Sequence, residues 1–176
     1  MQRMPHFTLI QVAPESRHRY LRARWHCCVR VAVALGLSVS LTACGATTVS
    51  LKPPTPTDAT VMETCSTLKD SLPARLRGLH KVATNPASDL TAAWSDAANS
   101  IVALRCGVES FDTATADILS VNDVDWAPTQ RDRGTSFVTV GRQVTVQVDI
   151  PATLRPEASY LVPLADAIAV AVPLTN

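Results

Sequence analysis

The chain has 176 residues, with 16 Lys and Arg against 15 Asp and Glu, and aromatics make up only 5% of it. This composition excludes collagen, a coiled coil and a multi-span membrane protein, and it leaves any core to small aliphatic side chains. The near-neutral charge hides an asymmetry: six Arg and one Glu precede residue 44, whereas ten basic and fourteen acidic residues follow. A basic head on a mildly acidic body is the pattern of a targeting segment, and the acidic body argues against a nucleic-acid partner.

In the head, Arg17, Arg19, Arg22, Arg24 and Arg30 lead into an uncharged run from Val31 to Ala43. As a helix this run spans about 20 Å, short of a ~30 Å hydrocarbon core, so it fits the apolar region of an export signal better than a membrane helix. It ends in Leu41-Thr42-Ala43-Cys44-Gly45, which resembles a bacterial lipobox. Small residues there let an extended substrate enter the peptidase, and the cysteine takes a diacylglyceryl group and becomes the new N-terminus. The expectation is a lipoprotein signal peptide over residues 1–43 and lipidation of Cys44, which anchors the protein to the extracytoplasmic face of the cytoplasmic membrane. The segment before the apolar run is long for a signal, so translation is expected to start later, at a codon such as that of Val12 or Leu21. Cys27 and Cys28 have no further ligand at a zinc-binding spacing and would leave with the signal.

After cleavage, Cys44, Cys65 and Cys106 remain. With lipid on Cys44, one pair is left for an oxidising compartment, and Cys65–Cys106 is the natural disulfide. Its loop of about 42 residues is worth roughly 4 kcal/mol in the chain-entropy model. The competing reading, a nucleophilic cysteine, has one candidate base, His80, the single histidine after Cys44.

Residues 44–58 carry Pro53, Pro54 and Pro56 with no hydrophobic period, which predicts a semi-rigid Pro/Thr-rich tether whose threonines could accept O-linked sugars. The domain is expected over 59–176. Val61, Cys65, Leu68 and Leu72 share one face of a helix capped by Asp58 or Thr60. Pro73 is expected to open a second short helical piece holding Leu76 and Leu79, with Gly78 near its end. A loop over 84–91 and a short helix from Thr91 to Ala98 around Trp94 follow. Ile101 to Cys106 reads as a strand ending at Gly107, and Ile118 to Trp126 as a strand interrupted by the turn-like Asn122-Asp123. Over 136–150, Val138 and Val140 precede Gly141-Arg142, and Val144, Val146, Val148 and Ile150 alternate with polar residues. Period two on both arms predicts a hairpin across a two-residue Gly141-Arg142 turn. Glu157 to Val172 has helical spacing, with a strand over 167–172 as the rival. Together these elements predict a small single α+β domain: a mostly antiparallel four-stranded sheet with N- and C-terminal helices packed on it. Trp94 and Trp126 are expected as core anchors.

The body resembles an actinobacterial family of uncharacterised secreted proteins and lipoproteins, the domain of unknown function numbered 3515. The resemblance covers about residues 63–173 and rests on these stretches: Cys65-x-x-Leu68, Leu72-Pro73, Ala93-Trp94, Leu104-Arg105-Cys106-Gly107-Val108, Val121 to Trp126, and Val140-Gly141-Arg142 leading to Val148-Asp149-Ile150-Pro151. Two positions depart from it: Gly follows the Trp and the Asn in the family pattern, where Ser95 and Asp123 stand here. The resemblance implies an exported domain and brings no activity.

The residues able to carry chemistry are few. His80 lacks an accompanying Gly-x-Ser-x-Gly elbow, and no P-loop, dinucleotide fingerprint or EF-hand loop occurs. Asp123 and Asp125 stand two apart and could act as an acid–base pair or bind a cation, though turn residues at a hairpin are the simpler reading. Arg131, Arg133 and Arg142 gather around the predicted hairpin and are the candidate ligand-binding group, suited to a lipid head group or a wall carboxylate. No metal site and no cofactor are expected. The sequence therefore predicts a lipid-anchored envelope module that binds an envelope protein or wall component. The alternatives are a small wall-modifying hydrolase using His80 or Asp123/Asp125, and a small-ligand carrier.

Overall fold

The computed structural model describes residues 47–110 and 117–175. The expected signal peptide, the lipobox-like stretch and Cys44 lie outside the described residues. The fold is a nine-stranded mixed sheet with two helices: β1 (Thr48–Ser50), α1 (Ala59–Ser71), β2 (Arg75–Leu76), β3 (Leu79–Asn85), β4 (Thr91–Ser95), β5 (Ile101–Cys106), β6 (Leu119–Val121), β7 (Val124–Arg131), β8 (Gly134–Val140), β9 (Val146–Pro151) and α2 (Val162–Ala171). The strand order is β1-β3-β4-β5-β9-β8-β7-β6, with β2 also pairing β3. Every pairing is antiparallel except that of β1 with β3. The α+β expectation therefore holds, while four strands understates the sheet.

The first helix forms where its apolar spacing predicts. Asp58 is its N-cap and accepts from the Thr60 amide at 2.8 Å, satisfying one of the free N–H groups of the first turn. Leu68 and Cys65 face the core, and Cys65 is bonded to Cys106 at the end of β5, with the two Cα atoms 5.6 Å apart. Gly107 makes that close approach possible. Its φ of +81° suits glycine, and a Cβ there would sit 2.9 Å from a Val61 methyl and 3.7 Å from the Cys65 sulfur.

The second helical piece expected after Pro73 is instead a hairpin. Arg77 and Gly78 have φ of 47° and 90°, which reverse the chain between β2 and β3 and set Leu76 opposite Leu79. Both leucines are buried as expected, but from strands. The helix expected around Trp94 is likewise a strand. All five residues of β4 are buried, so no alternation betrays it, and Ala92-Ala93 imitates a helical composition. Asp96 then turns the chain, its carboxylate accepting from the amides of Ala98 and Ser100.

The interrupted strand at 118–126 is a tight hairpin. Val121 pairs with Val124, and Asn122 and Asp123 take φ of 44° and 61°, the left-handed pair of a type I′ turn. The hairpin predicted over 136–150 is present as β8 and β9, yet Gly141-Arg142 is not its two-residue turn. The β8–β9 ladder ends at Val138 opposite Gln147, and residues 141–145 form a wide connection. The C-terminal segment draws that connection away: Gln143 donates to the Pro173 carbonyl, and Thr175 to that of Gly141. The tight two-residue turn lies one hairpin earlier, at Asp132-Arg133 between Arg131 and Gly134.

The tail is helical, as expected: a short 3-10 turn at Glu157–Tyr160 runs into α2. Within the tether expected over 44–58, the residues before the prolines form β1, whose Val49 and the following Leu51 are buried. Leu51 donates to the Asn85 carbonyl at 3.0 Å, so the residues just before the prolines are sheet rather than spacer.

The two faces of the sheet are built differently. On one, Trp94, Leu104, Trp126, Phe137, Val148 and Ile150 meet Leu68 of α1 and Leu164 and Ile168 of α2 in a single core. Both tryptophans are fully buried there, as core anchors. The other face carries a smaller cluster of Val49, Leu51, Ala93 and Ala103, with Val82 and Ile101 against it. Among the described residues no helix is long and apolar enough to cross a membrane.

Candidate ligand-binding groove

Period-two alternation decides which side chains stand on the helix-free face. In β5, Val102, Leu104 and Cys106 enter the core, which leaves Ile101, Ala103 and Arg105 on the opposite side. In β9, Val146, Val148 and Ile150 face the core, so Gln147, Asp149 and Pro151 face away. The β5–β9 register then sets Arg105 beside Gln147 and Ala103 beside Asp149, and the β9–β8 register sets Asp149 beside Ser136.

These side chains form a polar network. Arg105 donates to and ion-pairs with Asp149, whose other oxygen accepts from the Gln147 amide at 2.8 Å. Arg131 and Arg133 complete the rim of an open groove of about 480 Å³ that Ile101, Arg105, Ser136 and Asp149 also line. The two arginines stand at the β7–β8 turn and are exposed. The turn is fixed: the Ala152 amide donates to the Arg133 carbonyl at 2.9 Å. Gly134 lets β8 lie close to β9, since a Cβ there would fall 2.1 Å from the Ile150 carbonyl oxygen. Ser136 is only 2% exposed, and its hydroxyl is buried with no hydrogen-bond partner. A buried hydroxyl left unpaired costs about 1–3 kcal/mol, so it marks a place where a partner would be favourable.

The structure divides the expected arginine group. Arg131 and Arg133 share the groove, whereas Arg142 lies past the opposite end of β8. Arg142 is 9% exposed and donates to the backbone carbonyls of Val172 at 2.8 Å and Asp123 at 2.6 Å. It ties the β6–β7 turn to the C-terminal end of α2. Arg105, Gln147 and Asp149 join the groove without having been singled out in the sequence. The signal that could have found them is the alternation of β5 and β9, since each occupies a non-core position of its strand.

The hydrolase candidates do not converge. His80 is exposed on β3, and four strands, β4, β5, β9 and β8, separate it from Asp125 on β7. Asp125 accepts from Ser120 across the β6–β7 hairpin, and Asp123 sits in its turn. Asn122 of the same turn donates to Asp166 of α2 at 2.9 Å. Among the described residues no group of three or more His, Cys, Asp or Glu is arranged to hold a metal ion. Burial, then the neighbouring Lys69, hold the Lys81 ammonium pKa below the usual 10.5, against the pull of Asp70. It lies on β3, away from the groove lining.

The family model described as a protein of unknown function, DUF3515, matches residues 26–176. The chain belongs to this family. No curated protein and no solved structure matches the chain. The stretches that carry the family resemblance fall on structural joints: Cys106-Gly107 at the disulfide, Asn122-Asp123 at the type I′ turn, and Gly141-Arg142 at the connection held by the C-terminus. The second of the two departures is explained by its geometry, since a left-handed φ at Asp123 is the conformation in which glycine is unstrained. Ser95 ends β4 and is 4% exposed, its hydroxyl donating to the Asp96 carbonyl.

Proposed function

We propose that the protein is a lipid-anchored module on the extracytoplasmic face of the cytoplasmic membrane, and that it acts by binding a wall component or envelope protein rather than by catalysis. The observation that carries this reading is the Cys65–Cys106 bridge, which belongs to an oxidising compartment. It leaves Cys44, in its lipobox context, as the single cysteine from residue 44 onward outside the bridge. The actinobacterial and secreted character expected from the family resemblance fits this placement. The binding role is supported by the arginine-rimmed groove and by the dispersal of His80 and Asp125 across the sheet, which separates a base from a carboxylate partner.

Metabolic labelling with a fatty acid tests the anchor: label is expected on the wild type and lost in Cys44→Ala, and label that survives the substitution overturns it. Complementation tests the role. A deletion strain is expected to be restored by His80→Ala, Asp123→Ala and Asp125→Ala, and a folded variant among them that fails to restore it establishes the hydrolase reading instead.

A further inference from the structure

The groove has an architecture that selects among ligands. Arg131 and Arg133 extend from a turn held to the end of β9, so their positions are set by backbone hydrogen bonds rather than by a mobile loop. Neither has an ion-pair partner among the described residues. Arg105, by contrast, is taken by Asp149. The groove thus presents two free guanidiniums beside a neutralised pair. Below them, the Ser136 hydroxyl is buried and unpartnered, and the walls at Ile101 and Pro151 are apolar.

We propose that the groove binds a carboxylate on a short apolar body, gripped by Arg131 and Arg133 and hydrogen-bonded by Ser136. The inference rests on the binding-module reading and gives that module its ligand class. Planar guanidiniums match a carboxylate with paired hydrogen bonds. The apolar walls at Ile101 and Pro151 add a contact for the body of an organic carboxylate that inorganic phosphate does not have. The volume of about 480 Å³ lies within the range of small-molecule sites and suits a ligand of dipeptide or medium-chain acyl size.

Two kinds of molecule share this chemistry, the C-terminal end of a short peptide and a fatty acid. Calorimetric titration of the full mature protein in detergent distinguishes them, with N-acetyl-dialanine, its C-terminal amide, octanoate and inorganic phosphate as probes. At least one of the two carboxylates is expected to saturate, and which one does so names the source. The amide and phosphate are expected to bind at least tenfold more weakly than that carboxylate. Arg131→Gln combined with Arg133→Gln is expected to weaken it at least tenfold, and Ser136→Ala severalfold. Both arginines are exposed, so the double variant should keep its melting temperature. Arg155→Gln, which removes an exposed arginine outside the groove, should bind as the wild type does. Saturation by neither carboxylate, equal binding of the amide, tighter binding of phosphate, or an unaffected double arginine variant each overturns the proposal. If it falls while the His80, Asp123 and Asp125 variants still complement, the non-enzymatic reading stands without this ligand. If those variants fail to complement, the reading itself has failed.

Discussion

The two faces of the sheet answer to different physical demands. The helix-covered face is filled by Trp94, Trp126, Leu104 and Ile168, and its stability comes from apolar area removed from water. The other face carries a small apolar cluster of Val49, Leu51, Ala93 and Ala103 and, apart from it, a groove lined by charged side chains of β5, β9 and the β7–β8 turn. The contrast teaches that this domain concentrates its stability on one side and keeps on the other a surface whose polar groups are arranged but incompletely paired.

The comparison can be broken in order of effect. Cys65→Ala with Cys106→Ala removes the covalent tie between α1 and β5 and is expected to cost about 4 kcal/mol, read by denaturant unfolding. Leu68→Ala, on the covered face, should cost about 3 kcal/mol, whereas Arg105→Gln on the open face should cost about 1 kcal/mol or less, because its ion pair is partly exposed. A larger loss from Arg105→Gln than from Leu68→Ala would invert the account of the two faces. Arg142→Gln should cost about 2 kcal/mol, since its two carbonyl partners lose a charged donor, and amide exchange should quicken at the end of α2 and in the β6–β7 turn. Ser136→Ala is expected to leave the empty domain equally stable or about 1 kcal/mol more stable, a sign that no other buried serine with a good partner would give.

The smallest effect is a slope with pH. Because the folded Lys81 ammonium has a pKa below 10.5, the unfolded chain binds more protons between the two values, and stability should rise as pH climbs through that window. Lys81→Gln should flatten the rise in unfolding free energy measured over alkaline pH.

Much of the covered face was legible in the sequence, because burial on one side alone leaves a period. The spacing of Val61, Cys65 and Leu68 marks α1, and the alternation of Val146, Val148 and Ile150 marks β9. The strand at Thr91–Ser95 was illegible for the opposite reason: buried on both sides, it has no polar phase to read. The groove was half visible. Arg131 and Arg133 are close in sequence and stay together, but Arg105 and Asp149 meet only because β5 pairs with β9, a partner more than forty residues away in the chain. Arg142 misled because its neighbour Gly141 imitates a hairpin turn, while the actual partner of that segment, residues 173–175, lies at the far end of the sequence.

The short strand β1 guards an edge of the sheet. The outer edge of β3 is divided between two guards, β2 over Leu79 and His80 and β1 over Ala83 to Asn85. A chain cut at residue 58, where the apolar pattern alone would start the domain, would keep the first guard and lose the second. It would bare the amides and carbonyls at the end of β3, and strip Val49 and Leu51 from the Ala93 and Ala103 patch beside them. An open strand edge next to uncovered apolar surface is a template for another chain. Thr48–Ser50 thus covers the part of the β3 edge that β2 leaves open.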